Sequence, residues 1–166
     1  MPRFVHQRHL PATTLQHPRG LVLACPPLRS NVNLSRIVRT AGCCGLQKLI
    51  VCGNPRIDPK IARDSLEQVE IEVRRSLLPV LKRLKSDNFR IVGLEQTSNS
   101  ISLHNFVFSR RTVLVVGNER EGLSDSILRL LDDVVEIPVF GRPNSYNVAS
   151  ATAMALYEYC RQYPCG

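Results

Sequence analysis

Four polar segments of the sequence carry side chains that could orient a ligand or stabilise charge. They are RSNVN, GLEQT, GNEREG and IPVFGRPNSYN, which begin at residues 29, 93, 117 and 137. A guanidinium in such a segment can bind a phosphate or sugar oxygen through two parallel hydrogen bonds. Glu95 and Gln96 of the second segment can take an amine or a hydroxyl, although an ordinary polar loop is the favoured interpretation of these two residues.

The first and third segments contain the more specific signals. Arg36 and Arg39 stand three residues apart on a predicted helix, so they share one side of it; surface arginines on an amphipathic helix remain the alternative. Glu119 is more informative, because a carboxylate at the end of a buried strand is rarely there for packing. Gly117 and Gly122 match neither a dinucleotide-binding nor a P-loop fingerprint, which leaves a tight turn or a close approach of backbone to ligand.

Apolar runs before these segments predict the elements that must position them. Strands are expected at 20–25, 48–53, 69–74, 89–96, 112–119 and 134–139, and helices at 33–45, 76–88, 123–132 and 148–160. Asn33, Ser124 and either Asn144 or Asn147 are the expected helix caps. The alternation predicts an α/β fold, a mainly parallel sheet with helices on both faces, in which ligands bind at the carboxyl ends of the strands.

The last predicted helix is apolar on every side, with Glu158 as its only charge before Arg161. We therefore expect it to be buried all round, either by the rest of the chain or by a second subunit.

Bulk composition limits the class of protein. At 166 residues with 43% hydrophobic content, the chain is most simply one domain, preceded by an irregular lead-in at 1–19. It has no apolar run near the roughly 20 residues that span a bilayer and no apolar signal core, so a soluble intracellular protein, cytoplasmic or nuclear, is expected. The six cysteines form no CxxC and no zinc pattern; free thiols and no metal are expected.

The charge is unevenly distributed. Residues 1–83 hold 14 Lys/Arg against 5 Asp/Glu, whereas residues 84–166 hold 8 against 9. A basic half suits a polyanion, most commonly nucleic acid, and a surface tuned for solubility is the alternative.

Three motifs, in this order, carry a resemblance to a known family: NLSRIVRTAGCCG (33–45), LVVGNEREGLSD (114–125) and IPVFGRPNSYNVASATAMALYE (137–158). They resemble the SpoU branch of the SPOUT superfamily, the RNA ribose 2'-O-methyltransferases, and are similar to the enzymes that methylate the D-loop guanosine of tRNA. The match covers roughly residues 20–160, which assigns a SpoU-type domain to 20–166.

The resemblance implies a SPOUT fold with a trefoil knot at the C-terminus, S-adenosylmethionine bound in the knot loops, and a homodimer with the active site near its interface. Composition and periodicity do not predict the knot, since chain connections are normally unknotted. The implied reaction is methyl transfer to a ribose 2'-hydroxyl of RNA, with guanosine 18 of tRNA as the substrate. The chain has little room for a separate RNA-recognition domain, so a piece of a longer protein is expected.

The family's functional residues carry over position by position. The catalytic set is Arg39, Asn33, Glu119, Ser145 and Asn147. The cofactor set is Leu94, Glu95, Val116, Gly117, Ile137, Pro138, Ser145, Asn147 and Val148. Ser35 stands where the family usually has Gly, and Tyr146 where Leu is common, which bears on substrate fit more than on the reaction.

Arg39 is expected to contact the ribose or its phosphate and to stabilise developing alkoxide charge. A guanidinium holds its proton too firmly at neutral pH to serve as a base, so the base is left unassigned. One rival function is a catalytically silent RNA-binding module with this fold. Another is a nucleotide-binding oxidoreductase, which the missing glycine fingerprint disfavours.

Overall fold

The computed structural model describes residues 3–166. The first two residues of the predicted lead-in lie outside the described residues. Residues 3–20 contain no helix or strand, but their end is fixed against the C-terminus, because the backbone N–H groups of Gln16 and His17 donate to the Cys165 carbonyl. The domain boundary at residue 20 stays a prediction.

Seven strands form one sheet in the order β3-β2-β1-β6-β4-β7-β5, and every strand pair in the described chain is parallel. The strands are β1 Leu21–Cys25, β2 Lys48–Cys52, β3 Glu70–Arg74, β4 Arg90–Leu94, β5 Ile101–Ser102, β6 Thr112–Val116 and β7 Asp133–Glu136. The predicted parallel sheet is confirmed. β3 lies at one edge of the sheet.

Six helices cover both faces of the sheet. They are α1 Asn31–Cys43, α2 Pro59–Ala62, α3 Ser65–Gln68, α4 Leu77–Ser86, α5 Asp125–Leu128 and α6 Val148–Gln162. Successive side chains of β1 enter opposite hydrophobic clusters: Leu23 packs in the cluster that holds α1 and α6, and Ala24 in the cluster that holds α4 and α5. Burial of an aliphatic side chain such as Leu23 contributes about 1.5–3 kcal/mol to folding.

The predicted cap of α1 is wrong, and α5 is much shorter than predicted. Ser30, not Asn33, caps α1, and its Oγ accepts a hydrogen bond from the Asn33 N–H at 3.2 Å. Asn33 is therefore inside the first turn, where its amide side chain is free to bond elsewhere. Ser124 is the N-cap residue of α5, as expected, but its side chain makes no capping bond, and α5 is only four residues long.

The cap of α6 is confirmed. The chain itself buries only one side of this helix, so cover of the other side by a second subunit stays a prediction. Asn147 Oδ1 accepts from the Ala149 N–H at 2.9 Å. Leu156 and Tyr159 are fully buried, whereas Met154 is 40% and Tyr157 73% exposed. The helix lies on one face of the sheet, so within a single chain its far side has no cover. Within residues 3–166, no helix combines the length and the apolar character needed to cross a bilayer.

Candidate active site

A cavity of about 470 Å³ opens at the carboxyl edge of the sheet, where the adjacent strands β6, β4 and β7 end. Its walls come from these strand ends, from the turn after β6 and from the segment that leads into α6. The lining residues are Asn33, Leu94, Glu95, Gln96, Val116, Gly117, Asn118, Glu119, Arg120, Gly122, Glu136, Ile137, Val139, Ser145, Tyr146, Asn147, Val148 and Ala151. All four polar segments of the sequence thus reach this edge of the sheet; the first reaches the cavity through Asn33.

Glu119 anchors the start of α1 to the turn after β6. Its carboxylate accepts hydrogen bonds from the backbone N–H groups of Arg29 at 2.9 Å and Ser30 at 3.0 Å, and from Nδ2 of Asn33 at 3.2 Å. Partial burial opposes ionisation, but these donors and the N–H of Glu119 itself outweigh it and hold the pKa of Glu119 below its usual value. The carboxylate is therefore ionised at neutral pH.

Asn33 extends this contact to the start of α6. Its Nδ2 donates to Glu119, and its Oδ1 accepts from Nδ2 of Asn147 at 3.1 Å. Asn147 in turn caps α6 through its own Oδ1. One residue from each of the three sequence motifs thus belongs to a single chain of hydrogen bonds beside the cavity. We name Glu119, Asn33 and Asn147 the polar triad.

Glu95 occupies the space beneath the turn between Gly117 and Gly122. Its carboxylate accepts from the backbone N–H groups of Gln96 at 3.0 Å and Leu123 at 3.2 Å. A Cβ on Gly122 would stand 2.5 Å from Glu95 Oε2, and Gly122 has φ +66°. Of the two explanations left open for these glycines, the structure supports the tight turn, which closes over a carboxylate.

The structure brings most of the predicted site residues together. Of the cofactor set, Leu94, Glu95, Val116, Gly117, Ile137, Ser145, Asn147 and Val148 line the cavity. Pro138 does not, although its carbonyl accepts from the Tyr146 hydroxyl, which does line it, at 3.4 Å. Of the catalytic set, Asn33, Glu119, Ser145 and Asn147 line the cavity and Arg39 does not.

Arg39 lies outside the cavity because of its position on α1. It is exposed, and its carbonyl accepts from Ser65 Oγ at 3.2 Å. Arg39 follows Asn33 by six positions, which corresponds to about 9 Å along a helix axis and about 1.7 turns. The two side chains therefore leave α1 in different directions.

Several lining residues were absent from the predicted set. Glu136 ends β7 and accepts from Ser100 Oγ at 2.8 Å, and Tyr146 lies between two residues that were predicted. The signal for Glu136 was its place at a strand end, one residue before Ile137. Within residues 3–166, no group of three or more His, Cys, Asp or Glu side chains is arranged to hold a metal ion.

Two curated proteins resemble the chain over most of its length. The mouse tRNA (guanosine(18)-2'-O)-methyltransferase TARBP1 is 31% identical over 86% of this chain and 9% of its own length. The tRNA (guanosine(18)-2'-O)-methyltransferase of Aquifex aeolicus is also 31% identical, over 87% of this chain and 70% of its own. The chain thus spans a small part of the mouse protein and about two thirds of the bacterial one. The resemblance to tRNA guanosine methyltransferases is confirmed.

Solved structures of the SpoU family have the same fold as this chain. The A. aeolicus TrmH/SpoU tRNA modifying enzyme superposes with a TM-score of 0.85 at 30% identity, covering 90% of this chain and 78% of that one. The SpoU methyltransferase AviRb of Streptomyces viridochromogenes, in complex with the cofactor AdoMet, has a TM-score of 0.76 at 30% identity, covering 92% and 64%. The sequence profile of the SpoU rRNA Methylase family matches residues 20–157. The chain therefore belongs to the SpoU rRNA Methylase family.

Proposed function

We propose that the chain transfers a methyl group from S-adenosylmethionine to a ribose 2'-hydroxyl of RNA, and that the substrate is guanosine 18 of tRNA. The observation that carries this proposal is the polar triad at the cavity, which joins the three family motifs through hydrogen bonds of 3.1–3.2 Å. The names of the relatives supply the substrate. The trefoil knot stays a prediction.

The residues that line the cavity fit S-adenosylmethionine. A volume of about 470 Å³ lies within the range of about 300–1,000 Å³ typical of small-molecule sites. Leu94, Val116 and Ile137 offer apolar walls to a flat base, while the carboxylates of Glu119 and Glu136 offer negative charge to an amine or a sulfonium. When bound, the cofactor supplies an electrophilic methyl group.

The geometry assigns positioning roles within the polar triad. Glu119 has a lowered pKa and accepts from several N–H donors, so it is a poor proton acceptor and serves to hold Asn33 and the start of α1. Asn33 and Asn147 fix each other. Ser145, two residues before Asn147, lies at the exposed rim of the cavity, where it would contact the nucleotide or the cofactor.

Arg39 acts on the substrate from outside the cavity. Arg36 and Arg39 both lie exposed on α1, in the basic half of the sequence. Phosphates of an RNA strand lying along α1 would pair with them, and the guanidinium of Arg39 would stabilise charge on the reacting ribose oxygen. Holding the hydroxyl in line with the methyl group contributes the larger share of the rate.

We further propose a homodimer and membership of a larger protein. The exposed side of α6, with Met154 and Tyr157, is the part of this apolar helix that a second copy would cover. The 9% share of the mouse relative that the chain spans supports its being one piece of a longer polypeptide.

Radiolabelled methyl transfer to unmodified tRNA tests the activity, followed by mapping of the labelled nucleotide. We expect label at one guanosine in the D-loop, and none in a tRNA that carries 2'-deoxyguanosine there. Label on a base, or at an unchanged level on the deoxy substrate, would contradict ribose methylation.

The exposed position of Arg39 favours one second candidate, an RNA-binding module without catalysis. Calorimetry with S-adenosylmethionine separates the two functions, because a silent module needs no cofactor. Heat that saturates at a stoichiometry of one per chain supports the enzyme, and an absence of heat supports the module.

A further inference from the structure

Two cysteines meet where α1 and α6 end. Cys44 follows the last residue of α1, and Sγ of Cys160, in the last turn of α6, lies 3.7 Å from the Cys44 carbonyl oxygen. The same two helices also touch at their starts through Asn33 and Asn147. They therefore run side by side in the same direction, and the thiols lie at the end remote from the cavity.

A cation stands beside this thiol pair. The guanidinium of Arg19 donates to the Cys44 carbonyl at 2.5 Å and to the Tyr163 carbonyl at 2.7 Å. Hydrogen bonding from the Cys44 thiol lowers the pKa of Cys160 to about 7; burial opposes this, and the charge of Arg19 assists it. Hydrogen bonding to Cys160, together with burial, raises the pKa of Cys44. Cys160 is thus the nucleophile of the pair and Cys44 the protonated neighbour.

The other four cysteines lack this arrangement. Cys25 and Cys52 are buried on the neighbouring strands β1 and β2, but they belong to hydrophobic clusters on opposite faces of the sheet. Their side chains therefore point away from each other. Cys43 and Cys165 are exposed.

We propose that Cys44 and Cys160 form an oxidation site, which hydrogen peroxide converts into an intrachain disulfide between the ends of α1 and α6. The Cys160 thiolate attacks one peroxide oxygen, the O–O bond breaks, and hydroxide leaves, so that the sulfur becomes a sulfenic acid. Cys44 then loses its proton, its sulfur attacks the Cys160 sulfur, the S–O bond breaks, and water leaves. In sum, two thiols and one peroxide give one disulfide and two waters. This chemistry needs neither the cavity nor its ligand.

The crosslink would close a loop of long sequence separation, since 116 residues separate the two cysteines. Long loops gain most from a crosslink in the chain-entropy description. We expect the oxidised protein to unfold at a temperature roughly 5–10 °C above that of the reduced protein.

The test uses a background in which the exposed thiols are removed, Cys43→Ser with Cys165→Ser. The protein is treated with peroxide and denatured, its remaining thiols are alkylated in the denaturant, and its peptides are mapped by mass spectrometry without reductant. We expect one disulfide, between Cys44 and Cys160, which a reductant reverses. Cys25 and Cys52 serve as an internal control and should remain alkylatable.

Two further variants test whether the crosslink depends on both cysteines. In the same background, Cys160→Ser should abolish both the crosslink and the rise in unfolding temperature. Cys44→Ser should leave Cys160 as a sulfenic acid that dimedone traps. Peptides in which Cys160 is oxidised to a sulfinic acid while Cys44 remains a free thiol would overturn the proposal, and mapping of the wild-type chain gives this result whether or not the variants fold.

Discussion

Asn147 donates a hydrogen bond from Nδ2 to Oδ1 of Asn33 at 3.1 Å, across 114 residues of sequence. The bond joins the first turn of α1 to the cap of α6, and Asn33 passes the contact on to Glu119. Because each amide side chain uses its oxygen and its nitrogen for different partners, the orientation of both side chains is fixed. The position of the cavity wall formed by α6 therefore depends on a residue in α1.

Replacing Asn33 tests this dependence. Asn33→Ala removes a partner of both Glu119 and Asn147, and we expect unfolding free energy to fall by about 1–3 kcal/mol and cofactor affinity to weaken. Asn33→Asp keeps the shape of the side chain but places a second carboxylate near Glu119. At pH 7 it should therefore lower the unfolding free energy more than Asn33→Ala does, and this excess should be smaller near pH 5. Urea unfolding measures the unfolding free energy, and calorimetry measures the cofactor affinity. Equal unfolding free energies of the two variants at pH 7 would argue against the bond to Glu119.

Acid should weaken the anchoring of α1 by Glu119. Because the folded pKa of Glu119 is lowered, its contribution to stability is present above the unfolded pKa, near 4.5, and is lost as the pH falls through the folded value. Glu119→Gln lacks this contribution at every pH. We therefore expect the stability difference between the wild type and Glu119→Gln to shrink as the pH falls below about 4.5. A difference that does not change with pH would mean that charge on Glu119 is unimportant.

Arg39 should be needed for methyl transfer but not for cofactor binding, because it lies outside the cavity. Arg39→Ala should lower kcat/KM on tRNA by at least about 100-fold, as expected for the loss of a group that stabilises developing charge, and should leave the calorimetric Kd for S-adenosylmethionine within about two-fold. Arg36→Ala, one turn earlier on the same exposed side, is the matched comparison; it should raise KM for tRNA through the loss of one phosphate contact but leave kcat nearly unchanged. Normal activity of Arg39→Ala would remove Arg39 from the catalytic set.

Gly122 should not tolerate a side chain. Gly122→Ala forces an L-residue into φ +66° and brings its Cβ to 2.5 Å from Glu95 Oε2, so we expect a loss of roughly 2–4 kcal/mol in unfolding free energy. The matched control is Gly141→Ala, whose Cβ would meet only Pro143 Cδ, at 3.8 Å. Thermal unfolding of the two variants should separate them clearly. Similar melting temperatures would show that the turn yields easily.

RNA binding should depend steeply on salt if the basic half of the sequence contacts phosphates. On a log–log plot, each phosphate contact contributes a slope of about −0.9 on duplex and about −0.7 on single-stranded RNA, by analogy with DNA. Arg36→Ala should reduce the magnitude of the slope by about one contact. Filter binding between 50 and 300 mM salt would reveal this, and a flat response in the wild type would place the RNA elsewhere.

The sequence predicted the long, strongly patterned elements well and the short ones poorly. The apolar run 112–116 and the periodic segment 77–86 were both found, whereas β5 and the four-residue helices α2 and α3 are too short to show a period. Asn33 was mistaken for a cap because Ser30, three residues earlier, has an equally suitable side chain. A local sequence pattern cannot decide which of the two side chains caps the helix. In the structure Ser30 caps α1, and Asn33 belongs to the polar triad.

The site was predictable only in part, for a similar reason. Strand ends could be read from apolar runs, and the resemblance supplied the residues that line the cavity. The direction in which Arg39 leaves α1 and the exposed face of α6 depend on how the helices lie against the sheet, which is a long-range property. Pro138 was expected in the cavity because the resemblance places cofactor contacts at the ends of three strands, but of Ile137 and Pro138 only Ile137 lines the wall.

The bond between Asn33 and Asn147 also bears on how the protein is made. All seven strands precede residue 137, whereas the cavity gains Ser145, Asn147 and Val148 only from the segment that leads into α6 and from its first residue. A nascent chain could therefore complete its sheet while still lacking a wall of the binding site. Activity would therefore be withheld until translation had delivered the C-terminal residues.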